Sequence, residues 1–347
     1  KTRTTSANLF YNYTMTIPIY PGIVKENDLS PDQGFGSEID DLCQQIRDAT
    51  KGWGANKQKV IDAIATQNIT TRCKMAIRYK ELFERELVDV MKKEFSGDFG
   101  VALEFLSLPS DKAECAMIRK ACKGIGAQVN VVWSIVCGRT NEEMDRLKKT
   151  YFTMYNKDLG KLLASELHGD MERLVFNCLQ GAEDVYDPQF HTAEKAIEEA
   201  EEIHSKGQGR WGTDGRGIFK LLCKAPPEHI ENMNKAYADK YGFTLMKAME
   251  KEMGGNVKEA TIFMLGMKQK PYETIGDLIR SACVGFGTDE LLLTTLLIRY
   301  QPIMSEVMSA HIEKHGKTIH DRVRSEVGGK FKDLLLQVLN TAWPEQG

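Results

Sequence analysis

A short glycine motif occurs four times in this chain, and a glutamate follows each copy at nearly the same distance. The copies are Lys51-Gly52-Trp53-Gly54, Lys123-Gly124-Ile125-Gly126, Arg210-Trp211-Gly212 (preceded by Gly207 and Gly209) and Val284-Gly285-Phe286-Gly287. The glutamate lies 40 residues after the last loop glycine in three copies (Gly54 to Glu94, Gly126 to Glu166, Gly212 to Glu252) and 39 in the fourth (Gly287 to Glu326). A further glycine follows each acid three residues later, at Gly97, Gly169, Gly255 and Gly329. This register indicates a fourfold repeat in which a glycine loop and a distant carboxylate form one site.

The composition limits the classes of protein to consider. A chain of 347 residues with 42% hydrophobic content can bury a core in each of four units. The net charge of −3 offers no basic excess, so a nucleic-acid partner is not expected. The eight cysteines show no paired spacing and most lie in apolar helical segments, which predicts reduced, buried thiols in a cytoplasmic protein. No apolar stretch approaches the roughly 18–20 residues that span a bilayer.

The hydrophobic pattern predicts an all-α fold. Residues 1–36 have no helical period and are predicted to form an irregular N-terminal arm, a possible contact for a protein partner. From residue 37 the apolar residues recur at three-and-four spacing, as in Ile39, Leu42, Cys43, Ile46 and Ala49. About five short helices fit each unit. We predict units at 37–107, 108–181, 192–268 and 269–347, with a linker at 182–191 between two halves.

The motif is typical of a calcium site. Glycines spaced by one residue allow a sharp turn that directs carbonyl oxygens to one point. Carbonyl and carboxylate oxygens are hard ligands that suit Ca²⁺, which takes about six to eight of them. About three carbonyls and one bidentate carboxylate supply about five oxygens and neutralise half the ion's charge. The sequence therefore predicts weak sites that leave coordination positions for an outside anion such as lipid phosphate.

The residue between the loop glycines is bulky and apolar in every copy: Trp53, Ile125, Trp211 and Phe286. Four such residues beside open anion-coordinating sites suggest side chains that enter the membrane interface, where tryptophan is favoured. The alternative is that these side chains fold back and pack between helices. The sequence alone leaves both interpretations open.

These residues resemble the repeat of the annexin family over about residues 37–342. The likeness is fullest in Gly285-Phe-Gly-Thr-Asp-Glu290 with Ser325-Glu-Val-Gly-Gly329, and the third unit has Trp211-Gly-Thr-Asp214 with Glu252-Met-Gly-Gly255. The resemblance implies four five-helix repeats arranged as a slightly curved disc. It also implies a non-enzymatic protein whose convex face docks on acidic phospholipid membranes when calcium rises, and which is cytoplasmic and peripheral on the membrane.

The resemblance further implies the ligands of each Ca²⁺ ion, which are backbone carbonyls together with one glutamate. The implied sets are Thr50, Gly52 and Gly54 with Glu94; Cys122, Gly124 and Gly126 with Glu166; Gly207, Arg210 and Gly212 with Glu252; and Cys283, Gly285 and Gly287 with Glu326. Lys51 and Lys123 are expected to contact headgroups, whereas Val284 occupies the corresponding place in the fourth unit.

Two departures from the family pattern lead to expectations of their own. Ala55 and Ala127 replace the family's threonine after the second glycine, so we expect the loss of a helix-capping hydroxyl worth about 0.5–2 kcal/mol. The fourth unit is one residue shorter between loop and acid, and we expect that deletion to fall in an intervening turn, leaving Glu326 in place.

Other motifs favour other functions less well. Residues 207–212 match a dinucleotide fingerprint but follow a helical segment, whereas that motif needs a preceding strand. His311 and His315 lack the glutamate position of zinc proteases and are predicted to lie on an exposed helix face. The alternatives to calcium-dependent membrane binding are a helical-repeat scaffold for protein interaction with vestigial calcium sites, and a membrane-associated enzyme or channel.

Overall fold

The computed structural model describes residues 35–52, 54–124, 126–207, 211–284 and 287–344, with the backbone alone for residues 211–216. The predicted arm falls almost wholly on residues 1–34, outside this part of the chain. Within it the regular structure is entirely helical, with twenty α-helices and a 3-10 helix, Gln301–Ile303.

The helices fall into four groups of five, each containing one copy of the sequence repeat. The first two groups are α1 Ser37–Thr50, α2 Lys57–Ile64, α3 Ile69–Phe83, α4 Leu87–Glu94 and α5 Gly97–Leu106, then α6 Ser110–Ala121, α7 Val129–Val136, α8 Asn141–Tyr155, α9 Leu159–Glu166 and α10 Gly169–Leu179. The last two are α11 Ala193–Gly207, α12 Trp211–Lys224, α13 Pro227–Tyr241, α14 Leu245–Glu252 and α15 Gly255–Gln269, then α16 Pro271–Cys283, α17 Glu290–Arg299, α18 Met304–His315, α19 Ile319–Glu326 and α20 Gly329–Asn340.

The third helix of every repeat ends at a residue in the left-handed conformation: Glu84, Asn156, Gly242 or Gly316. That residue lies 30 positions after the second loop glycine in three repeats and 29 in the fourth. The missing residue therefore lies before Gly316, in the part of the repeat where the 3-10 helix joins α17 to α18. Glu326 keeps its place at the end of α19.

The apolar stripe that predicts α1 is its buried face. Ile39, Leu42, Cys43, Ile46 and Ala49 are all at most 8% exposed. Equivalent stripes of the other helices join them in one hydrophobic core that extends through all four repeats. Burial of these stripes stabilises helices that are too short to be stable alone.

A buried ion cluster connects the second and fourth repeats. Glu114 on α6 accepts hydrogen bonds from Arg139 at 2.9 Å and from Arg299 on α17 at 2.5 Å. All three side chains are almost fully buried, so each charge depends on its partners for solvation. Nearby, Asn130 Nδ2 donates to Asp289 Oδ2 at 2.6 Å and ties α7 to the start of α17.

The segment at 182–191 runs without helix along the third repeat. The Asp184 amide donates to the Lys224 carbonyl at 2.8 Å, and Glu183 pairs with Lys268 of α15 at 2.6 Å. These bonds anchor the segment to the third repeat.

One prediction about α18 is wrong. His311 is buried, because α16 and α19 pack over it. Arg322 Nε donates to His311 Nε2 at 2.7 Å, so the ring proton lies on Nδ1, which donates to the Gly276 carbonyl at 3.1 Å. Burial, with the nearby Arg322 charge, lowers the pKa of His311 to about 4. His315 is partly exposed and bonds Asp277 at 2.7 Å.

Candidate calcium-binding loops

Each of the four glutamates is the last residue of the fourth helix in its repeat, and each of these helices has eight residues. A helix C-terminus carries the negative end of the helix dipole and several carbonyls without intrahelical partners. A carboxylate there is unfavourable by about 0.3–1 kcal/mol at an exposed site, whereas a cation is favoured. All four repeats therefore concentrate negative potential at the same point of the fold.

A two-residue turn separates each acid from the next helix. The first residue of that helix is Gly97, Gly169, Gly255 or Gly329, with φ between +55° and +65°. No atom lies within 4 Å of where a Cβ would be, so the backbone angle and not space requires glycine. This explains why a glycine recurs three residues after each acid.

The glycine loops of the first, second and fourth repeats close with the same hydrogen bond. The amides of Asn56, Gln128 and Asp289 donate to the carbonyls of Ala49, Ala121 and Ala282 at 2.8, 2.9 and 3.0 Å, respectively. The described loop glycines between these residues are exposed and have φ between +81° and +119°: Gly52, Gly54, Gly124, Gly126 and Gly287. Three loops thus share one closed form with exposed backbone.

Loop and acid approach each other in the second and fourth repeats. The Thr288 hydroxyl donates to the backbone carbonyl of Glu326 at 3.3 Å, which connects the fourth loop to the end of α19. Burial raises the pKa of the Cys122 thiol to about 12, and the nearby Glu166 carboxylate contributes. Burial likewise raises the pKa of Cys283 to about 11, with a contribution from Glu326. Both cysteines carry backbone carbonyls predicted as ligands.

In the first repeat, the described contact joins α2, which follows the loop, to α5, which follows the acid. Lys57, the first residue of α2, places its ammonium 5.3 Å from the centre of the Phe99 ring, two residues past Gly97. Glu94 is a quarter exposed, and its Oε1 lies 3.3 Å from Lys93 Nζ. Thr50 donates its hydroxyl to the Ile46 carbonyl at 2.8 Å, within its own helix.

The third repeat differs from the other three. Its first helix ends at Gly207 and its second begins at Trp211, so Trp211 and Gly212 lie in a helical turn and not in a loop. In an α-helix the carbonyl of residue 212 faces the amide of residue 216, which removes it from the predicted ligand set in this conformation. The sequence Thr213-Asp214 favours the start of a helix, but α12 begins two residues before it, at Trp211. Glu252 keeps the helix-end position of the other acids.

The expectation that Ala55 and Ala127 lose a helix-capping hydroxyl is wrong, because the cap lies one residue later. Asn56 accepts a hydrogen bond from the Lys59 amide at 3.1 Å, and Asp289 accepts one from the Leu292 amide at 2.9 Å. Thr288 instead bridges its loop to Glu326. Alanine in the first two repeats therefore loses that bridge and not a cap.

Three repeats line one surface depression, of about 570 Å³. It is lined by Gly97 from the turn after the first acid, Lys120 and Gln128 from the flanks of the second loop, and Gly287 and Thr288 from the fourth loop. The acid end of the first site and the loops of the second and fourth sites therefore face one side of the molecule.

Most residues at the tips of the four loops lie outside the part of the chain that the structure describes. These are Trp53, Ile125, Arg210, Gly285 and Phe286, and for Trp211 only the backbone is described. Lys51 and Lys123 are exposed beside their loops. Val284 is 52% exposed, so the fourth loop presents an apolar side chain to solvent.

The available donors fit a hard cation. Across the described ranges, no three histidine, cysteine, aspartate or glutamate side chains gather to hold a metal ion. A cation at these loops would depend on backbone carbonyls with one carboxylate, the donor set that Ca²⁺ accepts. None of the described helices is long and apolar enough to cross a membrane.

Fold and site together define a helical-repeat protein with a closed glycine loop in three of its repeats and a glutamate at the end of the fourth helix in all four. The chain belongs to the annexin family: the family model, Annexin, matches residues 41–106, 113–177, 198–264 and 277–338. This confirms the all-α architecture of four annexin repeats. Annexins are non-enzymatic and generally bind calcium and phospholipid membranes.

Individual relatives cover nearly the whole repeat region. Human annexin A13 is 27% identical over 313 residues, which cover 90% of this chain and 98% of that protein. The structure of a point mutant of annexin A8 with an intact N-terminus superposes with a TM-score of 0.80 at 23% identity, covering 87% of this chain and 94% of the other. A calcium-bound structure of annexin (Sm)1 gives a TM-score of 0.71 at 22% identity, covering 89% and 92%.

Proposed function

We propose that this chain binds acidic phospholipid membranes when calcium is present. In each complete site, loop carbonyls and one helix-end glutamate hold the ion, and lipid phosphate completes its coordination shell. The observation that carries this proposal is the shared depression, because the second and fourth loops and the acid end of the first site all line it. A flat bilayer can engage several sites only if they face the same way.

The charge distribution supports a calcium requirement. The chain has a net charge of −3, and its helix-end carboxylates add local negative potential where the membrane would approach. Bound Ca²⁺ reverses that local charge. Lipid phosphate then raises calcium affinity by linkage, and several weak sites on one face act together through effective concentration.

The proposed ligands are those predicted from the sequence, with one difference at the third site. The first, second and fourth sites use Glu94, Glu166 and Glu326 with their loop carbonyls. The third site uses Glu252, but the first turn of α12 must open before the Gly212 carbonyl can take part. We therefore propose that the third site fills last.

Side chains beside the ions add contacts with the lipid. Lys51 and Lys123 are exposed and would meet headgroup phosphates. We propose that Trp53, Ile125, Trp211 and Phe286 enter the interface, together with the exposed Val284 of the fourth loop. The protein would be cytoplasmic and peripheral on the membrane, and its N-terminal arm would be free for a protein partner.

Vesicle co-sedimentation across a calcium titration tests this function. Glu166→Gln with Glu326→Gln should raise the calcium needed for half-maximal sedimentation on acidic phospholipid vesicles by about tenfold or more, since each lost ligand carboxylate costs on the order of 1.4 kcal/mol. The matched control is Glu198→Gln with Glu231→Gln, two exposed glutamates on α11 and α13 away from the loops. An unchanged calcium requirement in the first variant would contradict the proposal and favour a scaffold with vestigial sites.

A second pair of variants separates membrane entry from calcium binding. Trp53→Ser with Trp211→Ser should leave calcium-dependent encounter with vesicles intact but speed dissociation, because tryptophan is favoured at the interface. Stopped-flow release after addition of chelator measures that rate. An unchanged rate would show that these side chains pack against the protein.

A further inference from the structure

Four sulfur atoms meet at the seam between the second and third repeats, away from the calcium loops. They are Cys178 Sγ on α10, Cys223 Sγ on α12, Met264 Sδ on α15 and Cys137 Sγ, which follows α7 and lies 3.8 Å from Cys178 Sγ. The first three are separated by 3.6 Å from Cys178 to Cys223, 3.6 Å from Cys223 to Met264 and 3.8 Å from Cys178 to Met264. These three atoms form a nearly equilateral triangle.

That triangle has the size of a metal site. The point equidistant from corners separated by 3.6, 3.6 and 3.8 Å lies about 2.1 Å from each sulfur. Metal–sulfur bonds to zinc are about 2.3 Å, and a tolerance of about 0.2 Å is usual for a preformed site. An ion could therefore be bound with little movement of the three helices.

A small cavity of about 30 Å³ lies at the triangle and is large enough for one ion. Its lining includes Cys178, Cys223 and Met264, together with the ion pair between Lys268 and Glu183. Both cysteines are partly exposed as residues. Lys268 is held in place by three carbonyls, those of Leu222, Cys223 and Ala225, at 2.6–3.3 Å.

We propose that Cys178, Cys223 and Met264 bind monovalent copper. Thiolate and thioether sulfurs are soft donors that select Cu(I), whereas zinc takes thiolate, imidazole or carboxylate ligands and a fourth position. Two thiols belong to the triangle, and the Cys178 thiol also donates to Cys137 Sγ at 3.8 Å. On binding, Cys178 and Cys223 each release one proton to solvent, two Cu–thiolate bonds and one Cu–thioether bond form, and copper keeps its oxidation state.

A cation lies beside the proposed ion. Two thiolates and one Cu⁺ leave a single negative charge near the Lys268 ammonium, which also pairs with Glu183 at 2.6 Å. In the free protein, hydrogen bonds among the thiols raise the pKa values of Cys178 and Cys223, and the nearby ammonium opposes that rise. Outer groups of this kind orient and stabilise metal ligands.

A disulfide between Cys178 and Cys223 is the competing chemistry. The two sulfurs lie 3.6 Å apart as free thiols, whereas a disulfide bond is about 2.05 Å long. The hydrogen bond with Cys137 raises the pKa of Cys178 well above its usual range, and the contact with Cys178 does the same for Cys223. Oxidation and metal binding both require the thiolate, so the raised pKa values slow both.

The test is an anaerobic titration of the full chain with Cu(I) against bicinchoninate, a coloured Cu(I) chelator. The wild type should hold one Cu(I) per chain. Cys178→Ala or Cys223→Ala should weaken its affinity by more than the roughly 10–100-fold that loss of an outer-shell partner costs, and Met264→Leu by a smaller factor. Matched controls are Cys43→Ala, whose thiol bonds the Met75 carbonyl, and Met267→Leu, a buried methionine on the same helix as Met264; both should keep wild-type affinity.

Two further measurements make the outcome decisive. X-ray absorption at the copper edge should show three sulfur neighbours at about 2.1–2.3 Å. Calcium-dependent vesicle sedimentation of the cysteine variants should match wild type, which separates this site from the proposed membrane function and shows that the variants fold. The assignment would be overturned by unchanged Cu(I) affinity in both cysteine variants or by an equal loss of affinity in the controls. It would also be overturned by nitrogen or oxygen neighbours at copper, or by retention of zinc in place of Cu(I).

Discussion

Replacing Glu166 with glutamine should change the stability of this protein in opposite directions with and without calcium. Glu166 ends α9, where its charge opposes the helix dipole. Glutamine removes that repulsion, so without calcium the free energy of unfolding should rise by about 0.3–1 kcal/mol. With calcium, the variant lacks the ligand carboxylate of its site.

The loss with calcium can be estimated by linkage. An ion at 100 times its Kd stabilises the folded state by about 2.7 kcal/mol per site, and a tenfold weaker site loses about 1.4 kcal/mol of this. Subtracting the gain from the relieved helix end leaves the calcium-loaded variant about 0.4–1.1 kcal/mol less stable than wild type. The sign of the effect therefore reverses.

Urea unfolding followed by tryptophan fluorescence, with chelator and with saturating calcium, measures both quantities. Trp133 is buried in the core and reports on global unfolding. The control is Glu198→Gln in the middle of the exposed face of α11, expected within about 0.5 kcal/mol of wild type in both conditions. If Glu166→Gln destabilised the chain without calcium, the carboxylate would be a structural ligand of its loop and the reasoning from the helix end would fail.

Three other predictions concern the ion cluster, a histidine and the third site. Glu114→Gln removes the buried carboxylate charge that Arg139 and Arg299 share and should lower the free energy of unfolding in urea by about 3–5 kcal/mol. His311 has a folded pKa of about 4, below its unfolded value of about 6.5, so the unfolded state binds more protons than the folded state between pH 4 and pH 6.5. The free energy of unfolding should therefore fall by up to about 3 kcal/mol as the pH drops through that window. His311→Gln should flatten this pH dependence. Glu252→Gln should reduce the calcium bound per chain in equilibrium dialysis only at the highest calcium concentrations; an equal loss at low calcium would contradict the late filling of that site.

The sequence predicts the fold well because its strongest signals are local. The three-and-four spacing of apolar residues predicts α1 and its buried face, and the glycine three residues after each acid reports a left-handed start of the next helix. Both signals depend only on backbone geometry and burial within one repeat. The four-repeat all-α architecture follows from their recurrence.

Contacts between repeats cannot be predicted from such local patterns. Glu114 and Arg299 are 185 residues apart, and no local pattern pairs them. Cys178, Cys223 and Met264 likewise come together from two different repeats, so their spacing along the chain shows no recognisable motif. Such clusters depend on how helices pack and become visible only in three dimensions.

The burial of His311 could have been found from the repeat register. Counting five residues back from each left-handed cap gives Tyr79, Tyr151, Tyr237 and His311. All four are buried, so the histidine fills a position that holds tyrosine in the other repeats. The capping error has a similar origin, because a shift of one residue decides whether Thr288 or Asp289 caps α17.

The places where this chain departs from the local rules of stability coincide with its proposed binding surface. Carboxylates end four helices where the dipole disfavours them, and Val284 is exposed at the start of the fourth glycine loop. In the core, by contrast, apolar residues follow the helical period and charges are paired. Natural proteins tolerate such local conflicts mainly where a ligand relieves them, and an ion at the helix end with lipid beside it would relieve both. Local strain that recurs in register at four helix ends is therefore better evidence for a calcium-dependent membrane face than any single loop would be.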